Sequence, residues 1–286
     1  MSSGTTAASS ADPHWASIRP AGCWSVKANP PCPCTAERSV SAALPDLLLD
    51  LGHSRVKWGW GRHGQLLESG TGACPLTDLA PLAGALATAN GRRALLSGQS
   101  RIEVVNAVTT LIEGCGLSLQ RIESGAPELL VKPAYPSLGC DRWLSLQWPW
   151  QQAQQACCVI DCGTAITVDL VDQNGLHRGG WIMAGLGSLQ RGLLSLAPGL
   201  PPPKAPAGTS LQAATNSAAA ITAGILCQLL GGIDRALDQA RRTLGSDPQL
   251  WLTGGDAELI EAHLDRSLIR DRHLVLRGLA LAADAQ

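Results

Sequence analysis

Two short segments of this 286-residue chain carry the same set of phosphate-gripping groups. Asp50-Leu51-Gly52 and Asp161-Cys162-Gly163 each end an apolar run with an Asp, one further residue and a Gly, and a hydroxyl follows each Gly within two positions, as Ser54 and Thr164. Glycine lets the backbone approach a ligand closely and leaves its amide donor unobstructed, while a carboxylate at such a turn orients a cation or a water. After the first turn, alternation sends Val56, Trp58 and Trp60 to a core and leaves Arg55 and Lys57 on the opposite face, beside the turn. A lysine there offers a compact positive charge to a transferring phosphoryl group, whose negative charge is stabilised electrostatically rather than covalently. One such hairpin alone reads as an Asp-Gly turn with two solvated basic residues; two matched hairpins in one chain point to phosphate chemistry.

The elements around these turns follow from periodicity. Leu47-Leu48-Leu49 reads as a short buried strand, Arg55 to Trp60 as an alternating strand returning beside it, and Gly61-Arg62-His63-Gly64 as a turn into Gln65-Leu66-Leu67-Glu68. A helical stretch from Leu76 to Ala89, a strand at Ala94-Leu95-Leu96, a helix with Val104, Val105, Val108, Leu111 and Ile112 on one stripe, and a strand near Leu119 to Ile122 complete a β-β-β-α-β-α-β order. The order then repeats: strands at Cys157 to Asp161, Ala165 to Val171 and Gly179 to Met183, helices at Ser188 to Leu196 and Ser217 to Leu244, a strand at Leu250 to Thr253 and a helix from Asp256 to Leu264. The expected class is α/β: an N-terminal lobe over 46–155, a C-terminal lobe over 156–286, and a ligand cleft between them. Residues 1–45, rich in Ser, Ala, Thr and Pro and without periodicity, are expected to be a disordered extension rather than a secretory signal.

The same residues carry a family resemblance. Asp50-Leu51-Gly52-His53-Ser54-Arg55-Val56-Lys57 resembles the D-x-G-N-[ST]-x-x-K loop of type III pantothenate kinases, and Asp161 to Asp169 resembles their D-x-G-T-A-x-T-x-D segment. Gly139-Cys140-Asp141-Arg142 is similar to G-x-D-R, Gly179-Gly180 with Ala184-Gly185-Leu186 to G-G-x-I-x-P-G-L, and Asn216-Ser217 with Gly224 to an N-T-x6-G signature. Thr253-Gly254-Gly255-Asp256 and Leu274 to Leu279 are similar to the closing T-G-G-D and L-V-L-x-G-L. The resemblance spans Leu47 to Leu279, with every motif in the family's order.

The resemblance implies the ribonuclease H-like fold of the actin and sugar-kinase superfamily, and transfer of the ATP γ-phosphate to the hydroxyl of pantothenate, the first step of coenzyme A synthesis. Asp141 matches the catalytic carboxylate; as an isolated pattern, Gly-x-Asp-Arg would simply cap a helix over Arg142 to Leu146. Asp50, Leu51, Gly52, His53, Ser54, Arg55, Val56, Lys57 and Thr164 match the ATP-contacting positions. Gly139, Cys140, Asp141 and Arg142 match the pantothenate site, with Arg142 suited to pair the substrate carboxylate in a bidentate way. Asp161 matches the carboxylate that holds a monovalent cation, potassium or ammonium, and Mg²⁺ would accompany ATP. Thr253-Gly254-Gly255 resembles the adenosine-side loop. Ser217 matches a threonine that enters the neighbouring subunit's substrate site, so a homodimer with shared active sites is implied. His53 stands where the family has Asn, and Tyr135, the one tyrosine, lies four residues before Gly139 where the family's substrate-binding Tyr lies seven before.

Composition excludes several alternatives. Net charge is −1 and no Lys/Arg cluster would neutralise a polyanion, so no nucleic-acid partner is expected. The ten cysteines form no C-x-x-C pair, and reduced cytosolic thiols are the reading, with no metal assigned to them. Ala205 to Ile233 lacks charge, but its polar residues and short apolar portion indicate a buried helix rather than a membrane span. Trp143, Trp148 and Trp150 are expected to pack, and His177, with the other histidines apart from His53, to be an ordinary surface residue. A non-catalytic regulator of the Bvg accessory factor type, or another small-molecule kinase of the superfamily, are the competing readings.

Overall fold

An alternating apolar pattern closed by tight turns yields two copies of one sheet. The computed structural model describes residues 44–285 apart from 89, 99, 127 and 204–209. The expectation for residues 1–45 therefore lies outside the described residues, except for Leu44 and Pro45, which lead straight into the first strand. Strands β1 (Asp46–Leu51), β2 (Arg55–Arg62) and β3 (Gln65–Pro75) form an antiparallel meander. His63 and Gly64 turn β2 into β3, both at positive φ (50° and 70°), the conformation that suits a two-residue hairpin loop. Helix α1 (Ala80–Ala87), β4 (Arg93–Gly98), α2 (Ile102–Gly114) and β5 (Ser118–Arg121) follow, and β4 and β5 join β1 in parallel to give the order β3-β2-β1-β4-β5.

Helix α3 (Cys140–Ala153) leads to the second copy. Strands β6 (Cys157–Cys162), β7 (Ala165–Val171) and β8 (His177–Ala184) repeat the meander. Helices α4 (Leu186–Leu196) and α5 (Ser217–Leu244) precede β9 (Gln249–Thr253), α6 (Ala257–Glu261), β10 (Ile269–Arg270) and α7 (Leu274–Asp284). The second sheet runs β8-β7-β6-β9-β10, strand for strand the order of the first, with the same antiparallel and parallel pairings. The C-terminal copy has both helices expected before its fourth strand, completes the repeated order with the short strand β10, and adds α7 beyond it.

Alternation along β1 and β6 decides what each lobe buries. Leu47, Leu49 and Leu51 pack with Val56, Trp58, Leu82 and Val108 on the outer face of the first sheet, while Leu48 turns inward to Trp143 and Leu144 of α3 and to Leu276 and Leu279 of α7. Cys158, Ile160 and Cys162 pack outward against Leu226, Ile233 and Leu237 of α5; Cys157 and Val159 turn inward to Leu146 of α3. Each such fully buried aliphatic side chain contributes about 1.5–3 kcal/mol. The inner faces of both sheets thus meet α3, and Asp50 and Asp161 lie on those inner faces by the same period of two. Helix α7 returns to the first lobe, so the chain crosses between the lobes twice, and Ala42–Gln286 forms a single unit. Among the described residues α5 is long and apolar enough to span a membrane by length and composition; its face from Ile225 to Ala240 is buried in the second core, and its N-terminal turns are exposed.

Candidate active site

Asp50 closes β1 opposite Lys57 in the β1–β2 ladder, and the Lys57 ammonium approaches its carboxylate at 3.5 Å. Asp46, four residues earlier on the same face, differs: Arg92 grips it with Nε at 3.0 Å and Nη2 at 2.8 Å, a closed structural pair at the far end of the strand. Asp50 has no comparable fork. Burial pushes its carboxyl up, Lys57 pulls it down, and Asp141 pushes it up again. Asp161, closing β6, is raised to about 6 by burial, with Lys57 opposing and Asp50, Asp141 and Asp169 adding to the rise. Burial would lower Lys57, but Asp50, Asp161 and Asp141 outweigh it and hold the ammonium above its ordinary range. Asp50, Lys57, Asp141 and Asp161 therefore lie near enough to feel one another's charge.

The two Asp-x-Gly turns touch. Ser54 Oγ and Thr164 Oγ1 are 3.0 Å apart. Each glycine closes its own turn, the Gly52 amide donating to the Arg55 carbonyl and the Gly163 amide to the Ala165 carbonyl, both at 3.0 Å. The Thr164 carbonyl accepts from the Gly185 amide at 3.1 Å and from Ser188 Oγ at 2.7 Å, which pins this turn to the start of α4.

On the first-lobe side the turn borders a cleft of about 510 Å³ lined by Gly52, His53, Arg121, Glu123, Gly139, Cys140 and Asp141. Gly139 is the N-cap of α3, so the cap expected at Asp141 falls two residues earlier; Asp141 sits in the first turn, where the helix dipole favours a carboxylate, and its Oδ1 accepts from the Arg142 amide at 2.8 Å. Cys140 donates Sγ to the Ile122 carbonyl at 3.0 Å, and burial raises its thiol to about 12, so it stays protonated and is no nucleophile.

Arg142 departs from expectation. Its Nε and Nη2 fork onto Asp169 at 2.9 and 2.6 Å, and Nη1 donates to Tyr135 Oη at 3.1 Å. The bidentate grip expected for a substrate carboxylate is made within the protein, and Tyr135 joins the site through Arg142. Val56 is buried with its side chain in the outer core, so at the cleft it has only backbone to offer. Arg55 and Ser217 are exposed, and Ser217, at the head of α5, is not among the described residues lining the cleft.

Several site residues escaped the sequence reading. Gly98, Arg121, Glu123 and Ser124 line the cleft, and Ser97 stands beside Asp50 in the β1–β4 ladder as Thr253 stands beside Asp161 in the β6–β9 ladder. The duplication itself was the available signal: Ser97-Gly98 occupies in the first lobe the place of Thr253-Gly254 in the second. His177, expected at the surface, is fully buried and bonded to Asp169.

The residues fit the groups that a phosphotransferase needs. Ser97 Oγ is buried beside Asp50 without a hydrogen-bond partner among the described residues, which suits a ligand oxygen or a metal-bound water. Asp161 is a buried carboxylate that only Lys57 opposes with positive charge, so its chemistry would suit an added cation.

Comparison with known proteins agrees. The type III pantothenate kinase of Pseudomonas paraeruginosa is 34% identical over 251 residues, covering 82% of this chain and 98% of its own. That of Aromatoleum aromaticum is 30% identical over 247 residues, covering 83% and 97%. The crystal structure of a Baf family protein from Campylobacter jejuni has TM-score 0.54 at 21% identity, covering 82% of this chain and 94% of its own, a likeness of fold. A model of the type III pantothenate kinase family matches residues 46–239, and with these relatives it shows that the chain belongs to the type III pantothenate kinase family.

Proposed function

We propose that the cleft transfers the γ-phosphoryl group of ATP to the primary hydroxyl of pantothenate, giving 4'-phosphopantothenate. The observation that carries this reading is the meeting of Asp50, Lys57, Asp141 and Asp161 between two duplicated turns whose hydroxyls touch. ATP is the substrate that supplies the phosphoryl group, and Mg²⁺ bound with it would supply positive charge to the phosphates. The glycine turns at 52 and 163 and the hydroxyls of Ser54 and Thr164 grip the phosphates, and Lys57 offsets negative charge as it develops. Asp141 accepts the proton of the attacking hydroxyl or orients that hydroxyl in line. Asp161 would hold a potassium or ammonium ion, which would supply positive charge at its buried carboxylate. Retention of Lys57, Asp141, Arg142 and Asp161 supports an enzyme over a non-catalytic accessory protein, which has no evident use for that set.

The active unit in this reading is a cytoplasmic homodimer without membrane or nucleic-acid partners. Ile182 of β8 (64% exposed) and Leu196 of α4 (88% exposed) leave apolar surface beside the exposed start of α5, which supports burial against a second copy that brings its Ser217 to the substrate pocket. Coupled ADP release with ATP and pantothenate, run in potassium and in sodium, tests the whole. Pantothenate-dependent release that requires potassium is expected; release indifferent to pantothenate overturns the assignment.

A further inference from the structure

His177 does what strict strand alternation forbids. Asp169 pairs with Gly180 in the β7–β8 ladder, but two residues on, Val171 pairs with His177 rather than Arg178. The extra residue in β8 lies at Gly179, whose φ of +91° is a conformation open to glycine. This one-residue slip turns His177 onto the face of Asp169 and sends Arg178 outward. The imidazole is 0% exposed and Asp169 2%. Its Nε2 lies 3.0 Å from Asp169 Oδ1, and its Nδ1 faces the Ala134 amide at 3.4 Å. A backbone amide can only donate, so Nδ1 is the acceptor and the ring proton is on Nε2, pointing at the carboxylate. Asp169 then takes three donors, the fork of Arg142 and this imidazole.

The hold reaches the reacting groups in one step. Arg142 follows Asp141 directly, donates its own amide to the Asp141 carboxylate, and braces Tyr135 with its remaining nitrogen. Backbone bonds between Lys132 and both Gly175 and His177, at 2.9 Å each, tie the start of this segment to the same hairpin. We propose that His177 is a positioning residue: as a neutral imidazole it fixes Asp169, and through it the Arg142 guanidinium, so that Tyr135, Arg142 and Asp141 keep one geometry toward the acceptor substrate. This rests on the reading of the cleft as a pantothenate kinase site.

Three variants separate positioning from packing. His177→Phe keeps the ring volume without a donor; His177→Gln carries a donor at the reach of Nε2; His177→Asn carries one only at the reach of Nδ1. Loss of a hydrogen bond to a charged group predicts a pantothenate KM raised about 10-fold in H177F and H177N, with the ATP KM within about twofold of wild type. H177Q recovers most of that loss even where its melting temperature falls as far as that of H177F or H177N. H177N carries the comparison if H177F does not fold. A wild type that phosphorylates pantothenate beside H177F or H177N with unchanged pantothenate KM overturns the positioning role alone, as does H177Q no better than H177N. A wild type without pantothenate-dependent turnover overturns the kinase reading, and the positioning role with it.

Discussion

Ser54 Oγ stands 3.0 Å from Thr164 Oγ1 although 110 residues separate them, so the Asp-x-Gly turns of the two lobes meet at their hydroxyls. Each hydroxyl has a single proton; whichever donates across the pair, the other keeps its proton for a ligand oxygen. Ser54→Ala and Thr164→Val should each raise the ATP KM by about 2–10-fold, the worth of one neutral hydrogen bond, and leave the pantothenate KM unchanged. The double variant should lose less than the product of the single losses, because the second deletion removes a partner already gone. Steady-state kinetics on the four proteins of the cycle checks this; strict additivity would show that the hydroxyls act apart.

Asp141 sits in the first turn of α3 on the wall of the cleft, and the one bond its carboxylate makes there, accepting from the Arg142 amide, can be kept by the amide oxygen of Asn. Asp141→Asn should therefore fold normally, bind nucleotide, and lose about 10²–10⁴ in kcat, the scale of a general base. Nucleotide binding by calorimetry together with the ADP-release assay separates the two effects. Near-normal turnover in this variant would remove Asp141 from the chemistry.

Asp161 predicts opposite effects on stability and activity. Burial raises its carboxyl from 3.8 to about 6, so the folded state keeps a proton that the unfolded chain has already released. The stability this group contributes is fully present below the lower value and is lost as pH rises through the upper one. At pH 7.5 the uncompensated charge is a burden that Asn lacks. Asp161→Asn should raise the melting temperature of the potassium-free protein by roughly 2–4 °C, which is about 1 kcal/mol at this size, while abolishing potassium-dependent turnover. In the wild type, potassium should raise the melting temperature at pH 7.5 and lose that effect below the Asp161 transition. Thermal scans in potassium and in sodium at several pH values measure both.

Lys57 is the cation that lowers both Asp50 and Asp161. Removing its charge in Lys57→Gln leaves burial unopposed, so the acid limb of the pH–rate profile should move upward from its wild-type position. Loss of an electrostatic group at the phosphoryl should also cost about 10²–10³ in kcat. A pH–rate profile whose acid limb stays in place would show that Lys57 does not face these carboxylates during turnover.

Much of this arrangement was legible in the chain, and the remainder has physical causes. The strand β7 and helix α5 have the bounds that periodicity assigns, because alternation and the 3.6-residue stripe report which face is buried. Helix α3 runs on through Pro149 to Ala153 although proline lacks a donor and normally ends a helix, because Trp143, Leu146 and Pro149 itself are buried between the lobes. The strand β10 has two residues, too few for any period, and α7 packs on strands nearly the whole chain away. At the site, the turns and the Gly139–Arg142 segment were readable as local patterns. The capture of Arg142 by Asp169 and the burial of His177 were not: the first joins α3 to β7 across 27 residues of chain, and the second depends on a bulge in β8 that shifts the count by one residue.

Gly98 and Gly254 are matched positions whose lack of a side chain is required by the backbone behind each turn. Gly98 has φ +91°, and a Cβ there would lie 2.3 Å from the Leu51 carbonyl oxygen; Gly254 has φ +101°, and its Cβ would lie 2.4 Å from that of Cys162. Leu51 and Cys162 are the residues between Asp and Gly in the two phosphate turns, so relieving either clash displaces Asp50 or Asp161. Gly98→Ala and Gly254→Ala should each destabilise by about 1–3 kcal/mol through the left-handed φ and the backbone contact, and should raise the ATP KM beyond what lost stability explains. Gly84→Ala in α1 meets nothing within 4 Å and has no such φ, so it should stabilise by up to about 1 kcal/mol with kinetics unchanged. Denaturant melts and ATP kinetics on the three variants give the contrast. Retention of wild-type ATP affinity in both G98A and G254A would mean that the turns are placed by their own hydrogen bonds, independently of the strands that back them.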